Sequence, residues 1–301
     1  MNKKTSNKKK TNKKKNNKIK AMISRTILFT IIVVTLIVFL EKNTEDIEAV
    51  TVSAPIDNEN TINSYNSIYE NIYYYDSRNE QRYIDYQLLN VDLSVDEIVW
   101  RTNSNLDKVF YYDSKVIENT DVELLLVNKY NKLPDDFVPK NLERLVSGQY
   151  LQHDTKVAFE QMKQVAKKQG YILNDASGYR SIDYQEELYN YYLQSNSRKL
   201  ADTFSARAGH SEHHTGQAID ISGSFGDILE FEYTKEFKWI KENAYEYGFI
   251  IRYPKKYEHI TGYKYEPWHI RYVGIEIATD MKEKNINTLE EYYAKFILYI
   301  K

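Results

Sequence analysis

A fifteen-residue stretch without a single charge, Thr26–Leu40 (TILFTIIVVTLIVFL), divides the chain and constrains everything placed around it. It follows directly on residues 1–25, which carry eleven Lys and Arg and no Asp or Glu. A bilayer core calls for about 20 apolar residues. Extending the stretch back to Ala21 supplies that length, with Arg25 as its one charge, placed where it can snorkel to the headgroups. Glu41-Lys42-Asn43 comes next, with no small-x-small site close behind. The expectation is therefore an uncleaved transmembrane anchor over 26–40, with a cleaved signal peptide as the alternative. Basic residues on one flank alone put the tail, 1–25, in the cytoplasm and residues 41–301 outside.

The formal net charge of −2 conceals this division. With eleven basic residues in the head, the rest of the chain holds 30 against 43 acidic ones. Lysines beside a span are accounted for by anionic lipid, so membrane lipid is an expected partner and nucleic acid is not. The absence of cysteine excludes disulfides, Cys-ligated zinc or iron–sulfur centres, a thiol nucleophile and lipid attachment through an N-terminal Cys.

Residues 41–82 are rich in Asn, Asp, Glu, Ser and Tyr, and read as a stalk with some helix at Tyr65–Tyr75. Order is expected to begin near Tyr83, with 83–122 as an N-terminal extension and 123–301 as the principal domain. Ser94 with Glu97 forms a capping box before Ile98-Val99-Trp100. Leu124–Val127 reads as a short buried strand. Asp154 or Thr155 opens a helix whose Phe159, Met162, Val165 and Ala166 share a face, closed by Gly170. Tyr171–Leu173, Ala218–Ser222, Phe249–Tyr253 and Trp268–Val273 read as strands. A helix opens at Thr234 and ends at Gly248, and Thr288 with Glu291 caps a last one. This mixture predicts an α+β fold, a small antiparallel sheet with flanking helices.

Three of the six histidines fall in Gly209–Gly216 (GHSEHHTG). The HExxH pattern of helical zinc sites is absent. Gly209 and Gly216 oppose a helix here, so His210 and His214 read as supporting residues. His213 and Asp220 are the better pair, a His-x6-Asp spacing across the turn that Gly216 permits. Within AIDIS, Asp220 faces away from Ile219 and Ile221, and an acid there needs a metal or an arginine as partner. His269 in EPWHIRYVG offers a third ligand. Glu266 would point to the opposite face of a regular strand, but Pro267 can break the strand locally and return it to the site. Two histidines, a carboxylate and a water make the donor set of a catalytic zinc site rather than a closed structural one. His153 and His259 read as surface or hydrogen-bonding residues.

Taken together and in order, SGYRS (Ser177–Ser181), SEHHTGQAID (Ser211–Asp220) and EPWHIRYVG (Glu266–Gly274) resemble the zinc D-alanyl-D-alanine carboxypeptidases of the VanY type. That family also takes in LD-carboxypeptidases and vancomycin-resistance dipeptidases. The likeness runs over roughly residues 83–301 and includes LLLVNKYNKLPDDFVP and NAYEYGFIIRYP. It implies one zinc per chain on His213, Asp220 and His269, with Glu266 as general base and Arg180 stabilising the oxyanion. Tyr179, Gln185 and Ser211 would line the substrate pocket. Ala208 stands where the family more often has proline, which changes loop stiffness and removes no ligand. The implied reaction is hydrolysis of the terminal D-Ala-D-Ala bond of peptidoglycan stem pentapeptides, outside a bacterial cell membrane, by a single-pass monomer. An L,D-carboxypeptidase trimming tetrapeptides is the alternative on the same scaffold. A non-catalytic wall-binding module is the more distant one, since such a module would be expected to have lost a ligand or the base.

Overall fold

The computed structural model describes residues 68–122 and 124–299. The basic tail, the apolar stretch 26–40 and the stalk as far as residue 67 lie outside the described residues. Among the described residues no helix is long and apolar enough to cross a membrane.

Two helices come first, α1 (Glu80–Leu89) and α2 (Val95–Asn103). The expected capping box opens α2: Ser94 Oγ accepts from Glu97 N (3.3 Å) while Ser94 N donates to Glu97 Oε2 (3.2 Å). Residues 68–82 were expected to belong to a stalk, and here the structure differs. Tyr69, Tyr74 and Tyr83 are wholly buried and cluster with Ile98, Val99 and Trp100, and with Ile260 and Ala294 from far along the chain. Tyrosine buries a large ring and keeps a polar handle, so a segment poor in aliphatic residues still builds a core.

Short paired strands follow: β1 (Lys115–Val116) parallel to β2 (Asn131–Lys132), and β3 (Leu142–Arg144) antiparallel to β4 (Tyr150–Gln152). Leu124–Val127 is buried as expected, but it joins no ladder. Its side chains alternate between two clusters, Leu124 and Leu126 with Met281 and Leu289, Leu125 and Val127 with Leu133. Helix α3 (His153–Lys168) starts just before the expected residue, because Gln152 caps it by accepting from Asp154 N and Thr155 N.

The strand expected at Tyr171–Leu173 lies slightly later, as β5 (Asn174–Ser177). Then come α4 (Ile182–Leu193), α5 (Arg198–Ala201), a 3-10 turn at Glu212–Thr215 and β6 (Ala218–Ser222). The remaining elements are α6 (Lys235–Asn243), β7 (Phe249–Tyr253), α7 (Glu258–Thr261), β8 (Glu266–Tyr272), α8 (Ile275–Glu283) and α9 (Leu289–Tyr292). The expected last helix continues past α9 as a π-helical turn over Tyr293–Ile297.

Strands β5, β6, β8 and β7 form one antiparallel sheet in that order. Its apolar side sets Ile219, Ile221, Phe249 and Ile270 against Phe159, Met162 and Ala166 of α3 and Phe237 and Ile240 of α6. The architecture is α+β, small sheets with flanking helices. Because side chains alternate along a strand, burying those isoleucines turns Asp220, His269 and Arg271 to the other side.

Candidate metal and active site

Register brings the first two candidate ligands together. Asp220 on β6 sits directly opposite His269 on β8, a position from which cross-strand side chains touch. His269 Nδ1 lies 3.1 Å from Asp220 Oδ1. The third arrives from the 3-10 turn, where His213 Nε2 lies 3.4 Å from Asp220 Oδ2. One donor atom from each of His213, Asp220 and His269 falls within 4.8 Å of the others, and all three residues are buried.

The turn that carries His213 is held on both sides. Ser211 caps it by accepting from His213 N (3.3 Å), and Gly216 ends it at φ +69°. A Cβ at Gly216 would stand 2.9 Å from Gln152 N, so the close approach requires glycine as well as the left-handed backbone. His213 Nδ1 donates to Gly178 O (2.7 Å), which leaves Nε2 as the free lone pair. His214 bonds Arg180 O through Nδ1 (2.8 Å) and accepts from Gly209 N through Nε2. His210 bonds Asn128 O. Both have the supporting role read from the sequence, although a short helical turn does form between the two glycines.

Glu266 reaches the site through an irregularity in the sheet. Ile251 pairs with Ile270 and Tyr253 with Glu266, so β8 carries extra residues across Pro267–Trp268. This bulge returns Glu266 to the face of His269, with Oε2 at 3.8 Å from Nδ1. Burial pushes the Glu266 carboxyl up to about 7.

Arg180 follows β5 and enters the cavity wall. It donates to Ser177 Oγ (3.2 Å), Gln185 Oε1 (3.0 Å) and Asp220 Oδ2 (3.1 Å). Besides accepting from Arg180, Gln185 donates to Ala206 O (2.8 Å). It lines the cavity and anchors the Arg180 guanidinium there. Ser211 and Gln185 line the cavity, about 430 Å³, and Tyr179 lies outside its lining. Tyr179 is held at its backbone, N–H to Tyr150 O at 2.8 Å.

Two neighbours went unread in the sequence. Tyr253 packs against His269 with tilted rings, centroids 4.9 Å apart, and lines the same cavity. Glu212, 1% exposed, accepts from Arg252 and Arg271 and lies 3.4 Å from His269 Nε2. Its signal was present as a charged residue between Ser211 and His213, but its partners are 40 and 59 positions away.

Electrostatics separate the two histidines. Burial, with the nearby Arg180 charge, pushes His213 down to about 4. At His269 burial acts the same way, but the Asp220 and Glu212 carboxylates outweigh it and raise the group to about 9. Burial is likewise overcome at Asp220, which His213 and His269 hold well below the usual carboxylate range. Two imidazole nitrogens and a carboxylate in a buried cluster, each backed by a fixed hydrogen bond, are a donor set that suits zinc.

The chain is similar to known proteins in sequence and in fold. Residues 148–275 match the family model described as VanY, D-alanyl-D-alanine carboxypeptidase. The chain is 39% identical to "Putative carboxypeptidase YodJ" of Bacillus subtilis (strain 168), over 64% of this chain and 76% of that protein. It is 41% identical to a D-alanyl-D-alanine carboxypeptidase of Enterococcus faecium, over 49% of this chain and 45% of that one, so it spans less than half of that relative. Among solved structures, the LdcB LD-carboxypeptidase superposes with a TM-score of 0.57 at 39% identity, covering 60% of this chain and 90% of that one.

Proposed function

The chain belongs to the VanY family of D-alanyl-D-alanine carboxypeptidases, and on that premise we propose that it removes the terminal D-alanine of peptidoglycan stem pentapeptides. It is a carboxypeptidase of a zinc metallopeptidase family, acting on D-Ala-D-Ala or related stem peptides. The finer reading adds D,D specificity, a membrane tether through residues 26–40, a catalytic domain facing the cell wall, and a monomer. The observation that carries the hydrolytic reading is the convergence of His213, Asp220 and His269 with Glu266 beside them.

His213 Nε2, Asp220 and His269 Nδ1 would hold the zinc. When bound, zinc supplies Lewis acidity, polarising a carbonyl and lowering the pKa of water from 15.7 to about 7. Glu266 takes the proton from the attacking water at a carboxylate oxygen, then delivers it to the departing amine of D-alanine. Burial raises the Glu266 carboxyl above its ordinary value, which makes it a better proton acceptor than an exposed glutamate. Arg180, fixed by Ser177 and Gln185, faces the cavity with a permanent positive charge for the oxygen that gains charge in the tetrahedral intermediate.

A second reading has a specific support, the likeness to the LdcB LD-carboxypeptidase. Under it the same machinery trims tetrapeptides. Incubating the full-length chain with pentapeptide and with tetrapeptide muropeptides separates the two. D-alanine release from the pentapeptide supports D,D specificity. Release from the tetrapeptide alone would reassign the enzyme to L,D cleavage.

A further inference from the structure

Glu212 has no part in the reaction as derived above, yet it is among the most enclosed charges near the site, 1% exposed. Oε1 accepts from Arg252 Nε and from Arg271 Nη1, each at 2.8 Å. Oε2 is directed at His269 Nε2, 3.4 Å away. A carboxylate between two guanidinium groups is ionised and can only accept, so His269 must donate through Nε2. A neutral imidazole protonated at Nε2 carries its lone pair on Nδ1. That atom lies 3.1 Å from Asp220 Oδ1 and 3.8 Å from Glu266 Oε2, on the side where the other ligands converge.

We propose that Glu212 is a positioning residue that fixes the tautomer and ring orientation of His269, presenting Nδ1 to the metal; this rests on the zinc reading above. The two arginines hold the carboxylate in place, so that it braces the far edge of the ring instead of swinging round to become a ligand. Arg252 is braced in turn. It donates to Glu290 Oε2 (2.9 Å) and Oε1 (2.7 Å), and Asn128 donates to the same Glu290 at 3.2 Å. Arg271 does not depend on Glu290, so Glu212 keeps one guanidinium partner whatever happens at α9, the helix that carries Glu290.

Glu212 and Glu290 share Arg252, which gives the test its control. The full-length chain in detergent, as wild type, Glu212→Gln and Glu290→Gln, is titrated with zinc against a chromogenic chelator. Glu212→Gln is expected to weaken zinc binding 10- to 100-fold, the cost typical of losing a residue that orients a ligand. Glu290→Gln, which disturbs the same arginine without touching His269, is expected to melt at a lower temperature with zinc affinity unchanged. Equal weakening in both variants, or none in Glu212→Gln, overturns the positioning role. Should Glu212→Gln not fold, ring ¹H–¹⁵N spectra of the wild type decide: Nε2 protonated and Nδ1 metal-bound at His269 supports the proposal, and the reverse overturns it. A wild-type chain that binds no zinc overturns the zinc reading as well, an outcome distinct from tight zinc binding indifferent to Glu212.

Discussion

At Asp220 and His269 the electrostatics favour a proton that zinc would have to displace. The two groups face each other at 3.1 Å, with the carboxylate held ionised and His269 raised to about 9. Below that value Nδ1 is occupied by a proton; above it the lone pair is free. Apparent zinc affinity should therefore climb with pH, up to about tenfold per unit, and level off near 9. Competition titrations between pH 6 and 10 check this, and a flat profile would contradict the assignment of His269 as a ligand. The convergence of these candidate ligands was legible because strand alternation and the His-x6-Asp spacing report directly on which side chains share a face. Glu212 was not legible. An ion pair reveals itself only when the fold closes, and nothing local distinguishes it from a solvated glutamate.

The elements that position the site do so through backbone contacts, and these were the harder part to foresee. Gly178 illustrates the point. Its carbonyl orients His213, and a Cβ there would stand 2.5 Å from Tyr150 O. Gly178→Ala should push the segment off β4, weaken the anchor of His213 and lower zinc affinity about 10-fold or more, with little loss of helix content. Chelator competition together with circular dichroism reads both quantities. Helix α3 was found in the sequence because its apolar spacing is regular. Strand β5 was misplaced because Tyr171–Leu173 looks apolar, whereas the sheet uses a polar strand with alternate residues exposed. The bulge in β8 was anticipated only as a consequence of Pro267, since the extra residues are visible in the pairing with β7 and not in either strand alone.

Across the described molecule, the N-terminal helices are part of the folded unit and not a spacer leading to it. Ser104 Oγ donates to Glu290 O (3.1 Å) and Lys295 pairs with Asp96 (2.7 Å), while Tyr74 donates to the same aspartate. Trp100, 3% exposed, sits in the shared cluster. Trp100→Ala should cost about 3–5 kcal/mol, seen as a lowered urea midpoint for the whole cooperative transition and not for a separate domain. The segment read as a stalk because its composition is polar, but buried tyrosines satisfy their hydroxyls on Asp96, Gln87 and Asn103. Burial of that kind depends on partners that composition cannot supply.

The central claim is that a zinc bound by His213, Asp220 and His269 and a base at Glu266 together make this chain a carboxypeptidase. It is tested most directly by alanine release from a pentapeptide muropeptide, using the full-length chain stripped by chelator, then resupplied with zinc, alongside Glu266→Gln. The account predicts no release from the stripped chain, recovery with zinc, and a loss of at least about 10²-fold in Glu266→Gln. Release that persists after thorough stripping, or that is undiminished in Glu266→Gln, would contradict it.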